Sequence, residues 1–167
     1  MARITVNTTG TQPTLLVSTD LISNSANWGN IANTLAVTCL QDITITNSTG
    51  VYSYTDFCNV DMNKLTTPAD NEISVNMVID STVFFGAGGS GSAANLGISN
   101  LSLNKTPVQW KLVLDSSNVS GNVANAYYYA GQGFISSLAP TVSPEAPVWV
   151  TPMTIAVDGS MITDQNP

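Results

Sequence analysis

The stretch LAVTCLQDITITNSTGVYSYTDFC, residues 35–58, decides how the fold is read. Two β-prone runs flank Asn47-Ser48-Thr49-Gly50, a cluster of turn-forming residues. A hairpin centred on that cluster pairs Ile45 with Tyr52, Ile43 with Tyr54, Gln41 with Asp56 and Cys39 with Cys58. Its other face pairs Thr44 with Ser53, Asp42 with Thr55 and Leu40 with Phe57. One face is then mostly apolar, and the other mostly hydroxyl-bearing with an acid. A one-residue slip scrambles this sorting, because strand side chains alternate with period two. Two cysteines are too few for a disulfide framework or a zinc site. A reducing cytosol leaves them as thiols.

Working outward, short Val/Ile/Thr/Tyr-rich runs alternate with Gly, Pro, Asn and Asp clusters. Strands are expected near residues 3–8, 14–19, 35–46, 51–58, 72–85, 107–115, 125–138 and 147–158. Ile73, Val75, Met77 and Ile79 oppose Ser74, Asn76, Val78 and Asp80. Val108, Trp110, Leu112 and Leu114 oppose Gln109, Lys111, Val113 and Asp115. Met153, Ile155 and Val157 oppose Thr154, Ala156 and Asp158. Several strands with one buried face argue an antiparallel β-sandwich or barrel. A single helical window stands out, 92–103, with Leu96, Leu103 and Ile98 toward one side. The expected layout is one domain over 1–167, with an N-terminal arm or loop over 1–34, the hairpin at 35–58 and a long loop at 59–71.

Composition excludes several function classes. Ser, Thr and Asn number 18, 20 and 17, a third of the 167 residues, while charged residues are only 9%. Polarity is therefore carried by residues that favour turns, caps and strands. The net charge is −7, and the four bases are Arg3, Lys64, Lys105 and Lys111. Four scattered bases do not make a phosphate-gripping patch. The absence of histidine removes His-based acid–base catalysis and His metal sites. The opening MARITVNTTG has no apolar core of a secretory signal. No run approaches the roughly 18 apolar residues of a membrane span. A soluble chain that does not bind membranes is expected.

Gly86-Ala87-Gly88-Gly89-Ser90-Gly91 matches G-x-G-x-x-G literally. The strands around it alternate instead of running continuously apolar, and the next strand's acid, Asp115, lies too far on for a dinucleotide site. A flexible glycine loop is the better reading. Acid pairs such as Asp42 with Asp56, or Asp70 with Glu72, read as solvated surface, as do the loop acids that might otherwise hold calcium. Tyr127-Tyr128-Tyr129 reads as packing, since no bases accompany it. No catalytic residue, metal ligand or cofactor site is expected.

The C-terminal third is more specific. Gly131-Gln132-Gly133-Phe134-Ile135-Ser136-Ser137-Leu138 precedes a Pro-containing connection and an apolar strand, 148–157, that closes on Asp158-Gly159-Ser160. This series resembles the end of the β-sandwich of major tail tube proteins of long-tailed bacteriophages. Trp28, Val37 and Leu40-Gln41-Asp42-Ile43-Thr44 resemble that family's first sandwich segment. The strand at 72–80, an intervening helical segment and Gln109-Trp110-Lys111-Leu112 follow in the family's order. The likeness spans roughly 28–160, and the ordered series carries it.

The resemblance implies an all-β sandwich or half-barrel with one short helix, assembling as hexameric rings that stack into a tube. It implies homo-oligomeric contacts, tail-tip (initiator) and tail-terminator partners, a tape-measure protein in the lumen, and transient passage of double-stranded DNA. The place implied is the phage tail of the virion, after assembly in the host cytoplasm. An acidic chain with few bases suits such a wall, because it repels phosphate. On that reading Asp42, Thr44, Ser53, Thr55 and Asp80 are candidates for the lumen face. Trp28, Leu15, Leu16, Val60 and Met62 are candidates for subunit contacts. The alternatives are another tail-junction or head-decoration sandwich, or a carbohydrate-binding sandwich using Trp149 and Tyr127.

Overall fold

The computed structural model describes residues 13–54, 62–114, 127–142, 144–145 and 148–165. Seven strands and two helices follow in the order β1 (Thr14–Ser18), β2 (Leu35–Val37), β3 (Leu40–Tyr54), β4 (Asn63–Val78), α1 (Ser81–Phe85), α2 (Ala93–Leu103), β5 (Val108–Val113), β6 (Tyr127–Leu138) and β7 (Val150–Gln165). All pairings are antiparallel, in one sheet of order β2-β1-β5-β6-β7-β4-β3.

The edges of that sheet are β2 and β3, yet only Thr38 and Cys39 separate them in the chain. Three Cα–Cα steps of 3.8 Å span about 11 Å at most. The sheet must therefore roll until the end of β2 meets the start of β3, which makes it a half-barrel with the rest of the β3 edge unpaired among the described residues. Cys39 turns this corner with φ 59°. Its carbonyl accepts from Val78 N at 3.2 Å. The roll encloses one core: Leu15 and Val17, Leu35 and Val37, Ile73, Val75 and Met77, Trp110 and Leu112, Ile135, Met153 and Ile155, with Ile98 and Leu101 of α2.

The expected alternation holds where the sheet has one wet face. Ile73, Val75, Met77, Met153 and Ile155 are buried, while Ser74, Asn76, Thr154 and Ala156 are half-buried. It fails in β1 and β5, which are buried on both faces. Leu16, Val113, Tyr128 and Ala130 form a second cluster under Trp28, Ile22 and Ile31 of the 19–34 segment. That segment is pinned by side chains. Trp28 Nε1 donates to Ile22 O at 2.8 Å, Gln132 Nε2 donates to Ile22 O at 2.7 Å, and Lys111 Nζ donates to Gly29 O at 2.9 Å. The strand expected at 14–19 is β1, and the correction to the arm or loop over 1–34 concerns its other described residues, which form a pinned cover.

The hairpin centred on Asn47–Gly50 is also corrected. β3 runs unbroken through those residues and pairs with β4, so Ile45 faces Ile73 and Tyr52 faces Leu65. Register shifts lie at Leu40/Asp42 and at Thr49/Val51. The second leaves Pro68 in the unpaired stretch of β4, where a missing N–H does no harm. The long loop at 59–71 is strand from Asn63 onward. The cross-strand partner inferred for Cys39, Cys58, lies outside the described residues, as do Thr55 and Val60.

The strand expected at 72–85 stops at Val78, and α1 follows. Asp80 is its N-cap: Oδ1 accepts from Thr82 N at 2.8 Å, from Val83 N at 3.2 Å, and from the Thr82 hydroxyl. These bonds hold the Asp80 carboxyl below its ordinary range, the Thr82 side chain contributing most. A depressed carboxylate stabilises the fold above its unfolded pKa, and that contribution fades as pH falls through the folded value. Acidification below about pH 4, near the ordinary carboxylate range, is therefore expected to reduce the amide-exchange protection factors of Thr82 and Val83, corrected for the intrinsic pH dependence, before those of the core strands. Asp80→Ala is expected to do the same at neutral pH.

The glycine stretch is a loop, with open space at Gly88 and Gly91, but its first glycine makes a close approach. Gly86 (φ 78°) and Gly97 (φ 71°) stack backbone to backbone, and a Cβ on Gly97 would lie 2.3 Å from Gly86 N. Gly97 also kinks α2. Ile98 and Leu101 are buried there, whereas Leu103 is 77% exposed, opposite to the side expected for it.

Candidate assembly surfaces

Three surfaces have no cover among the described residues. The first is the outer face of β6, β7, β4 and β3. Cross-strand register aligns Asp42 with Asn76 and Pro152, Thr44 with Ser74 and Thr154, and Thr46 with Glu72 and Ala156. Asn76 Nδ2 donates to Asp42 Oδ2 at 3.3 Å, the Ser74 and Thr154 hydroxyls lie 3.1 Å apart, and Ser136 Oγ donates to Thr154 O at 3.2 Å. The segments 42–46, 72–76, 134–137 and 152–156 contain two acids, Asp42 and Glu72, and no base. The result is a hydroxyl-rich, anionic patch, with the exposed ring of Phe134 beside Ala156 at its β6 side.

The second surface is a ribbon. β4 pairs with β7 only from Glu72 to Val78, so Asn47–Tyr54 and Asn63–Asn71 form a two-stranded arm. Tyr52 is 61% exposed and Leu65 55%. Tyr52 and Tyr54 stack with ring centroids 6.2 Å apart. A lone two-stranded ribbon is marginal in water, and exposed apolar side chains on one point to a partner.

The third is a shallow notch between the end of β4, α1 and the segment entering β7, lined by Ile79, Ser81, Phe85, Val148 and Trp149. Phe85 is 55% exposed and Trp149 43%.

The expected site residues divide among these places. Asp42 and Thr44 lie together on the polar face. Ser53 does not join them: on the unbroken strand it has the opposite parity and pairs with Lys64. Asp80 lies beyond the strand, as the α1 cap. Leu15 and Leu16 are core residues, and Trp28 is the buried lid of the second cluster, so none of the three offers a free surface. Met62 is exposed beside the ribbon. The notch was not foreseen, because Phe85 read as the end of a strand.

Lys111 is buried in β5 with its ammonium 4.3 Å from the Tyr128 ring centroid. Burial lowers its pKa. Burial, together with Asp164, which accepts the phenol's hydrogen bond, raises that of Tyr128. This is structural chemistry inside the second cluster. Among the described residues no group of three potential metal ligands gathers, and no helix is long and apolar enough to cross a membrane. The antiparallel sheet and the helix before Gly86 replace the strand–loop–helix order of a dinucleotide site.

No family model matches the chain, and no curated protein does. Solved structures do. A chain from the tail of an empty gene transfer agent particle, solved with six-fold symmetry, superposes with a TM-score of 0.57 at 12% identity, covering 90% of this chain and 95% of that one. A chain from the extended sheath–tube complex of an extracellular contractile injection system gives 0.54 at 13% identity, over 92% and 88%. One from that system's sheath/tube terminator gives 0.51 at 11%, over 98% and 99%. The chain thus has the fold of components of tail and tube assemblies, and the fold expectation stands, with two helices in place of one.

Proposed function

We propose that this protein is a structural, non-enzymatic subunit that assembles into stacked hexameric rings forming a phage-type tail tube, a conduit for DNA. The near-full-length match to chains of tail and sheath–tube assemblies carries this reading. The three surfaces supply its physics. The unpaired edge of β3 would be covered by strand pairing within a ring. The ribbon and notch suit contacts between rings. The patch bearing Asp42 and Thr44 suits a lumen, because a conduit must repel phosphate. Partners of such a subunit are a tail-tip initiator, a terminator, a tape-measure protein in the lumen and DNA in passage. Its place is the virion tail, after assembly in the host cytoplasm.

The sugar-binding alternative needs Trp149 and Tyr127 side by side. Trp149 precedes the first residue of β7, whereas Tyr127 pairs with Gln165 at its last, so no shared platform exists. A terminator is the second reading, favoured by the match to a terminator chain. Negative-stain electron microscopy across a concentration series separates the readings. Tubes of indefinite length with an open channel support the tube, and closed single rings the terminator. A protein that stays monomeric even with tail-tip proteins added excludes the tube.

A further inference from the structure

We propose that the described end of the ribbon of one copy seats in the notch of the next copy along the tube, with Tyr52 and Leu65 against Phe85 and Trp149 and with Lys64 toward Asp80. This contact rests on the tube reading and adds to it the two faces that join. Ribbon end and notch lie at opposite ends of one strand: β4 begins at Asn63 in the ribbon and ends at Val78, one residue before Ile79 of the notch. Sixteen residues at about 3.3 Å each separate them by roughly 50 Å. Two unlike patches at opposite ends of a subunit make a head-to-tail contact, which propagates rather than closing in a dimer.

Charge selects the same partner. Among the described residues the bases are Lys64, Lys105 and Lys111. Lys111 is buried, and Lys105 Nζ donates to Ile135 O and Ser136 O at 3.1 and 3.2 Å. Lys64 stands exposed on the ribbon. The notch borders Asp80, whose described hydrogen bonds all fall on Oδ1, leaving Oδ2 for an incoming cation. Tyr52 and Leu65 are direct cross-strand partners and share one face of the ribbon, whereas Lys64 and Ser53 share the other. An inserted ribbon therefore turns an apolar face to the two aromatic rings and its cation to the acid.

The test uses the full chain with Cys39→Ser and Cys58→Ser. Adding Leu65→Cys and Trp149→Cys together and oxidising assembled material is expected to give a ladder of covalent multimers. Either cysteine alone gives no ladder. Separately, Lys64→Glu in the otherwise native chain is expected to raise the concentration needed for tubes roughly five- to tenfold, by setting like charges together. Ser81→Lys, which keeps the Asp80 cap, is expected to restore assembly to Lys64→Glu. Wild-type tubes with neither a ladder nor any effect of Lys64→Glu overturn this contact and leave the tube standing. Failure of the wild type to assemble even with tail-tip proteins overturns both.

Discussion

Trp110→Ala is expected to lower the unfolding free energy by about 3–5 kcal/mol, the range for truncating a buried aromatic, and so to shift the denaturant midpoint strongly. Trp110 is fully buried at the centre of the rolled sheet. It lies between β1 and β6, paired with Val17 on one side and Gly131 on the other. Gly131 leaves the room the indole fills: a Cβ there would lie 2.6 Å from Trp110 Cζ2. Trp110→Phe is expected to cost much less. The indole Nε1 has no hydrogen-bond partner among the described residues, and removing a buried unpaired donor offsets part of the lost contact. Gly131→Ala is expected to destabilise through overpacking, by about 1–3 kcal/mol. Urea titration of the four proteins decides the matter. Equal losses for the Ala and Phe variants would mean that the ring's volume is not what the site needs.

The parts of this fold that sequence reveals are those where one face is wet. Ile73-Ser74-Val75-Asn76-Met77 and Met153-Thr154-Ile155 alternate because solvent lies on one side, and the structure keeps that sorting. Thr14–Ser18 carries no such signal, because the 19–34 segment covers its second face. A doubly covered strand reads as an apolar run, and Leu15 and Leu16 then resemble a sticky arm. Asn47-Ser48-Thr49-Gly50 misleads for the opposite reason. In a ribbon wet on both faces, strand residues have the composition of a turn. Val83-Phe84-Phe85 has β-prone residues, yet Asp80-Ser81-Thr82 before it is an N-cap signal that marks the helix. Lys111 left no trace in the sequence: an alternating lysine looks solvent-facing until the cover that buries it is seen. On the polar face, Asp42 and Thr44 were legible as neighbours. The notch was not, since it brings together two segments far apart in the chain, 79–85 and 148–149.

Asp42→Lys combined with Thr44→Lys is expected to convert a tube that does not hold DNA into one that does. Both residues are exposed and lie on one face of β3, so the change rewrites charge without touching the core. Each chain gains three positive charges on that face, two from replacing the acid and one from replacing the hydroxyl. In the proposed ring of six chains, several lysines would meet each turn of duplex passing inside. A protein with 6–10 phosphate contacts loses about 10³–10⁵ in affinity between roughly 50 and 200 mM salt, through counterion release. DNA is therefore expected to be retained by variant tubes at low salt, protected there from nuclease, and freed at high salt. Leu103→Lys, placed on an exposed helix end, supplies the control: any DNA it recruits should remain open to nuclease. If the double variant forms tubes yet protects no DNA, the polar face does not line the channel, and Asp42 and Thr44 belong to the outer wall. Protection confined to the double variant would mean that this face lines the channel, and that its lack of bases is what keeps the native path slippery.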